Sequence, residues 1–252
     1  MRVSVLSSGS KGNTTYIETD NSKILIDIGN SAKYVEEKLE EFGVDPNDLD
    51  AILITHTHVD HIKGLKVFEK KHNILVYITD IMLKSLDYLN NYKFLEDSFD
   101  IKDIHVEAFK TSHDTDDSRG YVISSGDSSI VYVTDTGYIN HKYFDLLSNR
   151  NLYIMESNYD VEMLNNGKYP FKLRQRILSD KGHLSNYDSA KYLSEFIGDN
   201  TKYILLAHLS EENNTEDIAY DTLIEKLKND NIYIPDIIIT KQDKETELIK
   251  LW

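Results

Sequence analysis

The apolar run Ala51–Ile54 passes without a break into Thr55-His56-Thr57-His58-Val59-Asp60-His61, so three imidazoles and a carboxylate fall within six positions at the end of what reads as a buried strand. A fold that accepts this stretch must finish a strand at a rim, where side chains stop alternating between faces and become free to converge. His56 and His58, two apart in an extended segment, point the same way and suit one cation. Asp60 and His61, past the turn and before a helix has begun, suit a second. Only nine histidines exist in the chain and three lie here, which makes a polar loop that collected them by chance the weaker reading.

A two-metal site needs more ligands than one loop supplies. His113 lies just past a strand at Val106–Phe109, Asp135 follows the strand Ile130–Thr134 in "VYVTDTG", and His208 ends "YILLAH". All three occupy C-terminal strand ends and so share an edge with the first motif. Taken singly each has a bland reading, and their common placement argues for ligands. His183 in "GHLSN" instead precedes a helix start at Ser185, which suits a general acid better than a ligand. Asp27, after the apolar run in "ILIDIG", reads as a structural acid beside the site. His72, His105 and His141 read as surface residues.

Around these positions the pattern predicts strands at Arg2–Leu6, Thr14–Thr19, Lys23–Ile26 and Leu75–Thr79, then a second set at Tyr121–Ser124, Leu152–Met155, Tyr203–Ala207 and Asp236–Ile239. Helices are expected near Ser31–Glu41, Gly64–Lys71, Asp80–Leu89, Ser185–Phe196 and Ile218–Lys228, with a charged loop at Glu96–Asp103. The result is two β-rich halves flanked by helices. With 252 residues, three prolines and no linker-like segment, one domain over residues 1–252 is expected. Zero cysteines rule out disulfides and thiolate-bound metal. No apolar run approaches the roughly 18 residues of a membrane span. The opening "MRVSVLSSGSKGN" lacks the apolar core of an export signal, so a cytoplasmic chain without membrane association is expected.

A net charge of -15 counts against a polyanionic partner. One segment contradicts the average. From Asn158 to Lys181, Lys168, Lys172, Arg174, Arg176 and Lys181 interleave with Tyr159, Tyr169 and Phe171 and lead directly to His183. Cations for phosphates and aromatic faces for bases are what single-stranded nucleic-acid grooves use, and this reading outweighs a solvated helix face. The Gly/Ser loop Ser7–Asn13 has neither nucleotide-loop glycine spacing, but its place after the first strand puts Lys11 and Asn13 where they can meet a substrate phosphate.

These residues resemble the metallo-β-lactamase superfamily, whose signature is an H-x-H-x-D-H loop followed by a His, an Asp and a His on later strand ends. More narrowly, "LSSGSKGNTTYIE", "LITHTHVDHIKGL", "TSHDTDDSRGY", "VTDTG", "ESNYDVEML", "GHLSN" and "LAHLSEENN" together resemble the YycJ/WalJ family of bacterial nucleases. Thr115 and Asp117 depart from that pattern, away from the ligand positions. The resemblance implies a mixed α/β, four-layer αββα sandwich with the metal site at the sheet edges. It also implies a 5′ to 3′ DNA exonuclease linked to mismatch repair and its proteins. His56, His58 and His113 would hold one divalent ion, Asp60, His61 and His208 the other, and Asp135 would bridge them. Imidazole and carboxylate ligands suit Zn²⁺ or Mn²⁺ alike. By similarity to related phosphodiesterases, His183 would protonate the leaving oxygen with Glu156 behind it. Two ions roughly 3.5–4 Å apart would generate hydroxide at neutral pH, with Asp60 positioning its ion.

Other functions share the ligands. An RNA phosphodiesterase or a glyoxalase-type thioesterase uses the same cluster, although a thioesterase leaves the basic aromatic segment and "GHLSN" unexplained. A catalytically silent regulatory module does not need intact ligands. A nuclease assay with added Mn²⁺ separates these.

Overall fold

Two-residue alternation of buried side chains decides the architecture. In the computed structural model, which describes residues 1–251, the first sheet contains β1 (Arg2–Ser7), β2 (Thr14–Glu18), β3 (Lys23–Ile26), β4 (Ala51–Leu53), β5 (Val76–Ile78) and β6 (Tyr92–Phe94) side by side, with β14 (Ile249–Lys250) added outside β1. The second runs from β7 (Ser98–Ile101) through β8 (Ile104–Lys110), β9 (Arg119–Ser125), β10 (Ser128–Val133), β11 (Leu152–Glu156) and β12 (Tyr203–Ala207) to β13 (Asp236–Ile239). Each sheet begins antiparallel and becomes parallel, at β3 in the first and β10 in the second.

Both faces of each sheet are covered, and the sequence pays attention to both. Leu53 and, in the other sheet, Ile130 and Tyr132 join a core between the sheets. Their neighbours Ile52, Val131 and Val133 point the opposite way, under helices. Over the first sheet lie α1 (Ala32–Glu41), the single turn α2 (Val59–Ile62) and α3 (Leu65–His72). Over the second lie the short α4 (Phe144–Leu147), then α7 (Asn186–Phe196) and α8 (Glu216–Asn229); α5 (Val161–Asn166) and α6 (Phe171–Ile177) form a separate flap between them in sequence. Val35, Leu39 and Phe68 close one outer core, and Leu193, Phe196, Leu223 and Leu227 close the other. Helix starts follow local chemistry: Ser31, Ser185 and Thr215 each accept a backbone N–H of the first turn through the side chain. This is the expected four-layer αββα sandwich. Among the described residues no helix is long and apolar enough to cross a membrane.

The two sheets are tied together below the histidine loop. Tyr121 of β9 donates its hydroxyl to the Ile54 carbonyl at 2.5 Å, and Arg119 N–H donates to the Thr55 carbonyl at 2.9 Å. Strand directions then place the C-terminal ends of β1, β3 and β4 on one rim and those of β8, β10, β11 and β12 on the rim facing it.

Several expectations fail locally. Asp80–Leu89 is not a helix but one 3₁₀ turn, Met82–Lys84, among looser turns. Its apolar residues Met82, Leu86 and Leu89 are buried as helical spacing suggests, yet Asn90 and Asn91, just before β6, donate their backbone N–H groups to buried Glu69. The charged loop Glu96–Asp103 contains β7, paired to β8 through a tight turn at Lys102, φ 53°. Phe99 and Ile101 supply too brief an alternation to show among the charges. Asp60 and His61 lie on α2 rather than before any helix. His72 is not a surface side chain: it packs against Phe68 between Glu36 at 3.0 Å and Asn47 at 2.9 Å.

Candidate metal centre

Where the parallel strands stop, three site residues leave ordinary backbone geometry. Asp27, Asp135 and His208 follow β3, β10 and β12 and have φ of 59°, 55° and 56°. A left-handed conformation at a residue other than glycine costs on the order of 1–3 kcal/mol and persists where the surroundings enforce it. Here it turns each chain out of its strand so that the side chain crosses the rim. Ser8, after β1, supports one such turn by accepting the His208 N–H at 2.8 Å. Gly29 allows another close approach: a Cβ there would lie 1.8 Å from the Asp60 carbonyl oxygen.

The side chains at the rim form overlapping clusters, two of which, His56 with His61 and Glu156 with His183 and His208, include Asp135. His56, His58 and His113 bring one nitrogen each into a common site, with His113 Nε2 3.2 Å from His58 Nδ1. That spacing fits two nitrogens on one tetrahedral ion, which sit about 3.3 Å apart for bonds of about 2.0–2.1 Å. Asp60, His61 and His208 form the second group, Asp60 Oδ2 lying 3.7 Å from His61 Nε2 and 3.6 Å from His208 Nε2. Asp135 reaches both, with Oδ2 3.1 Å from His61 Nε2 and Oδ1 3.7 Å from His113 Nε2.

These atoms fit divalent cations better than they fit one another. His56 Nε2 and His208 Nε2 are buried and have no hydrogen-bond partner. Such orphaned groups cost about 1–3 kcal/mol each unless something meets them, and one ion in each group would do so. Burial pushes the imidazoles of His56 and His113 down toward the neutral form a metal needs. His61 goes the other way: burial opposes its charge, but Asp135 and Asp27 together push it up to about 10.

The rings of His61, His113 and His208 are each oriented through Nδ1. His61 Nδ1 meets Asp27 at 2.7 Å, and Asp27 also accepts Thr55 N–H at 2.8 Å and Thr55 Oγ1 at 2.7 Å. His113 Nδ1 donates to the Gly182 carbonyl at 3.0 Å. Glu156, wholly buried at the end of β11, meets His183 Nδ1 at 2.7 Å and His208 Nδ1 at 3.1 Å, and accepts Thr136 N–H and Leu184 N–H. Burial alone would raise its pKa; His183, with the His208 hydrogen bond, holds it at about 2.

A cavity of about 250 Å³ opens over the groups, walled by His58, His113, Asp135, His183 and His208 on the rim and by Tyr169, Leu173 and Arg176 from the flap. His183 is therefore brought to the ligands while its Nδ1 is engaged by Glu156. Of the cations singled out in the basic segment, only Arg176 lines this cavity. Lys168 and Lys172 are exposed elsewhere on the flap, and Arg174 is paired through its guanidinium to the Asn165 carbonyl. Lys11 is exposed and bound to Glu211 at 2.7 Å. Asn13 is a correction: it is buried, with Nδ2 3.0 Å from His61 Nε2 and Oδ1 accepting the Gly9 N–H, so it packs against His61 inside the cluster and is not open to a substrate. Asp114 was missed. Its adjacency to His113 in an acid-rich run was the only signal, and nothing in the spacing distinguishes it from Asp116 or Asp117.

Comparison with known proteins agrees with this geometry. The family model described as a β-lactamase superfamily domain matches residues 22–208. The chain is 40% identical to the exodeoxyribonuclease WalJ of Streptococcus pneumoniae over 90% of its length and 88% of that protein's. It is 39% identical to the exodeoxyribonuclease YycJ of Bacillus anthracis, over 87% and 86% respectively. Among solved structures, the metallo-β-lactamase fold protein YhfI from Bacillus subtilis superposes with a TM-score of 0.74 at 17% identity, covering 98% of this chain and 99% of its own, a likeness of fold.

Proposed function

Because the chain belongs to the metallo-β-lactamase superfamily and, within it, to the YycJ/WalJ family, we propose that it is a 5′ to 3′ DNA exonuclease with a two-metal centre, serving mismatch repair in the cytoplasm as one domain of residues 1–252. At the coarser level it is a metal-dependent hydrolytic nuclease. The observation that supports the finer reading is the pair of three-residue groups with the Asp135 carboxylate lying between them, and His183 beside it in one cavity.

In this reading His56, His58 and His113 would hold one ion and Asp60, His61 and His208 the other, with Asp135 available to both; the donors suit Zn²⁺ or Mn²⁺. Such ions would supply Lewis acidity toward the phosphodiester and a water acidified enough to act as nucleophile at neutral pH. The remaining work belongs to side chains. Asp27 and Glu156 fix which ring nitrogen of His61 and His208 faces Asp135. Glu156 engages His183 through Nδ1, which leaves Nε2 to deliver a proton to the departing sugar oxygen. Tyr169 and Arg176 form the wall against which a nucleotide and its phosphate would rest, and exposed Phe171 at the start of α6 offers a face for a base. Time courses on 5′- and 3′-labelled single- and double-stranded DNA and RNA, with Zn²⁺ or Mn²⁺, test this. Mononucleotide release from DNA 5′ ends supports the reading, and cleavage restricted to RNA or to thioesters overturns it.

A further inference from the structure

Asp114 links the metal centre to the flap. Its Oδ1 is buried, has no hydrogen-bond partner, and lies 3.3 Å from His113 Nε2 and 3.9 Å from His58 Nε2. Its other oxygen pairs with Arg176 Nε from α6. Arg176 is the one Lys or Arg side chain that lines the cavity over the metal groups. Half of its side chain is exposed, so the ion pair contributes at most about 1 kcal/mol to stability. A fold-stabilising role does not account for an acid placed between two imidazoles and a guanidinium.

The geometry points to Asp114 as a positioning residue: it holds Arg176 through Nε, so that the two terminal nitrogens of the guanidinium stay available to a substrate phosphate at the cavity wall. An unpaired arginine on a short surface helix would spread over many rotamers, and fixing it beforehand removes that entropy from the binding step. A guanidinium held through one nitrogen keeps the planar fork that matches phosphate oxygens. This rests on the nuclease reading, in which a phosphate lies in this cavity.

The two possible roles of Asp114 predict opposite signs. As a mere negative charge near a polyanion, its removal strengthens DNA binding. As the support of Arg176, its removal weakens it. The test is equilibrium binding of a phosphorothioate-linked single-stranded oligonucleotide to the metal-loaded full chain across a salt series, for the unsubstituted protein, Asp114→Ala, Asp114→Asn, Arg176→Ala and the Asp114→Ala/Arg176→Ala double variant. Thermal unfolding and metal analysis accompany each.

Arg176→Ala should weaken binding about tenfold and lower the log–log salt slope by about 0.7, one single-strand phosphate contact. Asp114→Ala should reproduce much of both losses with its metal content unchanged. Asp114→Asn, whose carbonyl still accepts from Nε, should lose less. The double variant should be no worse than Arg176→Ala. Unchanged or tighter binding by Asp114→Ala, additive losses in the double variant, or loss of one metal equivalent would each overturn the assignment. Failure of the unsubstituted protein to bind DNA would overturn the nuclease reading instead.

Discussion

Glu156→Gln changes one charge and almost no volume, so its effect isolates the buried carboxylate. Each oxygen of Glu156 faces two donors, the His183 and His208 ring nitrogens on one side and the Thr136 and Leu184 backbone N–H groups on the other. A glutamine must aim its NH₂ at one of these pairs, whichever way it flips. A carboxyl held at about 2 against an ordinary 4.5 corresponds to about 3 kcal/mol of folded-state preference for the charged form. Because the pKa is depressed on folding, that contribution is present above pH 4.5 and fades as pH falls toward 2. For a chain of this size, a loss of about 3 kcal/mol lowers Tm by about 6–12 °C. Thermal unfolding of metal-free Glu156→Gln and unsubstituted protein should show such a gap at pH 7, narrowing below pH 4.5. A gap under about 2 °C at pH 7, or one that does not narrow in acid, refutes the placement of the charge.

Asp135→Ala should abolish nearly all turnover and lower metal content, because the Asp135 carboxylate lies within reach of both histidine groups; two retained ions with full turnover would contradict the shared-ligand role. His183→Ala should keep metal and KM while kcat falls about 10²–10⁴-fold, with little loss on a nitrophenyl phosphodiester whose leaving group needs no proton. Equal damage on both substrates would make His183 a positioning residue. Neutralising Lys172, Arg174 and Arg176 together should flatten the salt dependence of DNA binding. Arg176 alone should account for most of the change, and equal shares measured in single variants would show that the cavity is not where the phosphate sits.

The sandwich, and the His and Asp side chains that gather at its rim, were legible in the sequence for one physical reason. Buried strands written as apolar runs, such as Ala51–Ile54 and Tyr203–Ala207, stop abruptly, and a His or Asp at each stop has nowhere to point but the rim. Ser31 and Ser185 likewise show their helix starts because capping is a local event. What could not be read depends on partners distant in sequence. β6 and β7 exist through pairing with β5 and β8, His72 is covered by Glu36 and Asn47, and Asn13 is drawn inward by His61 and by its backbone N–H to the Asp60 carbonyl. The flap cations were visible as a group, but spacing on α6 does not reveal that Arg176 alone reaches the cavity. Asp114 is one acid in a run of acids until Arg176 meets it.

The central claim is that two ions held across Asp135 hydrolyse DNA phosphodiester bonds. Chelated protein titrated with Mn²⁺ or Zn²⁺, while mononucleotide release from 5′-labelled DNA is followed, tests it most directly. Activity should be absent without metal and should rise to a plateau at two equivalents per chain. A plateau at one equivalent, or turnover that survives complete chelation, contradicts it.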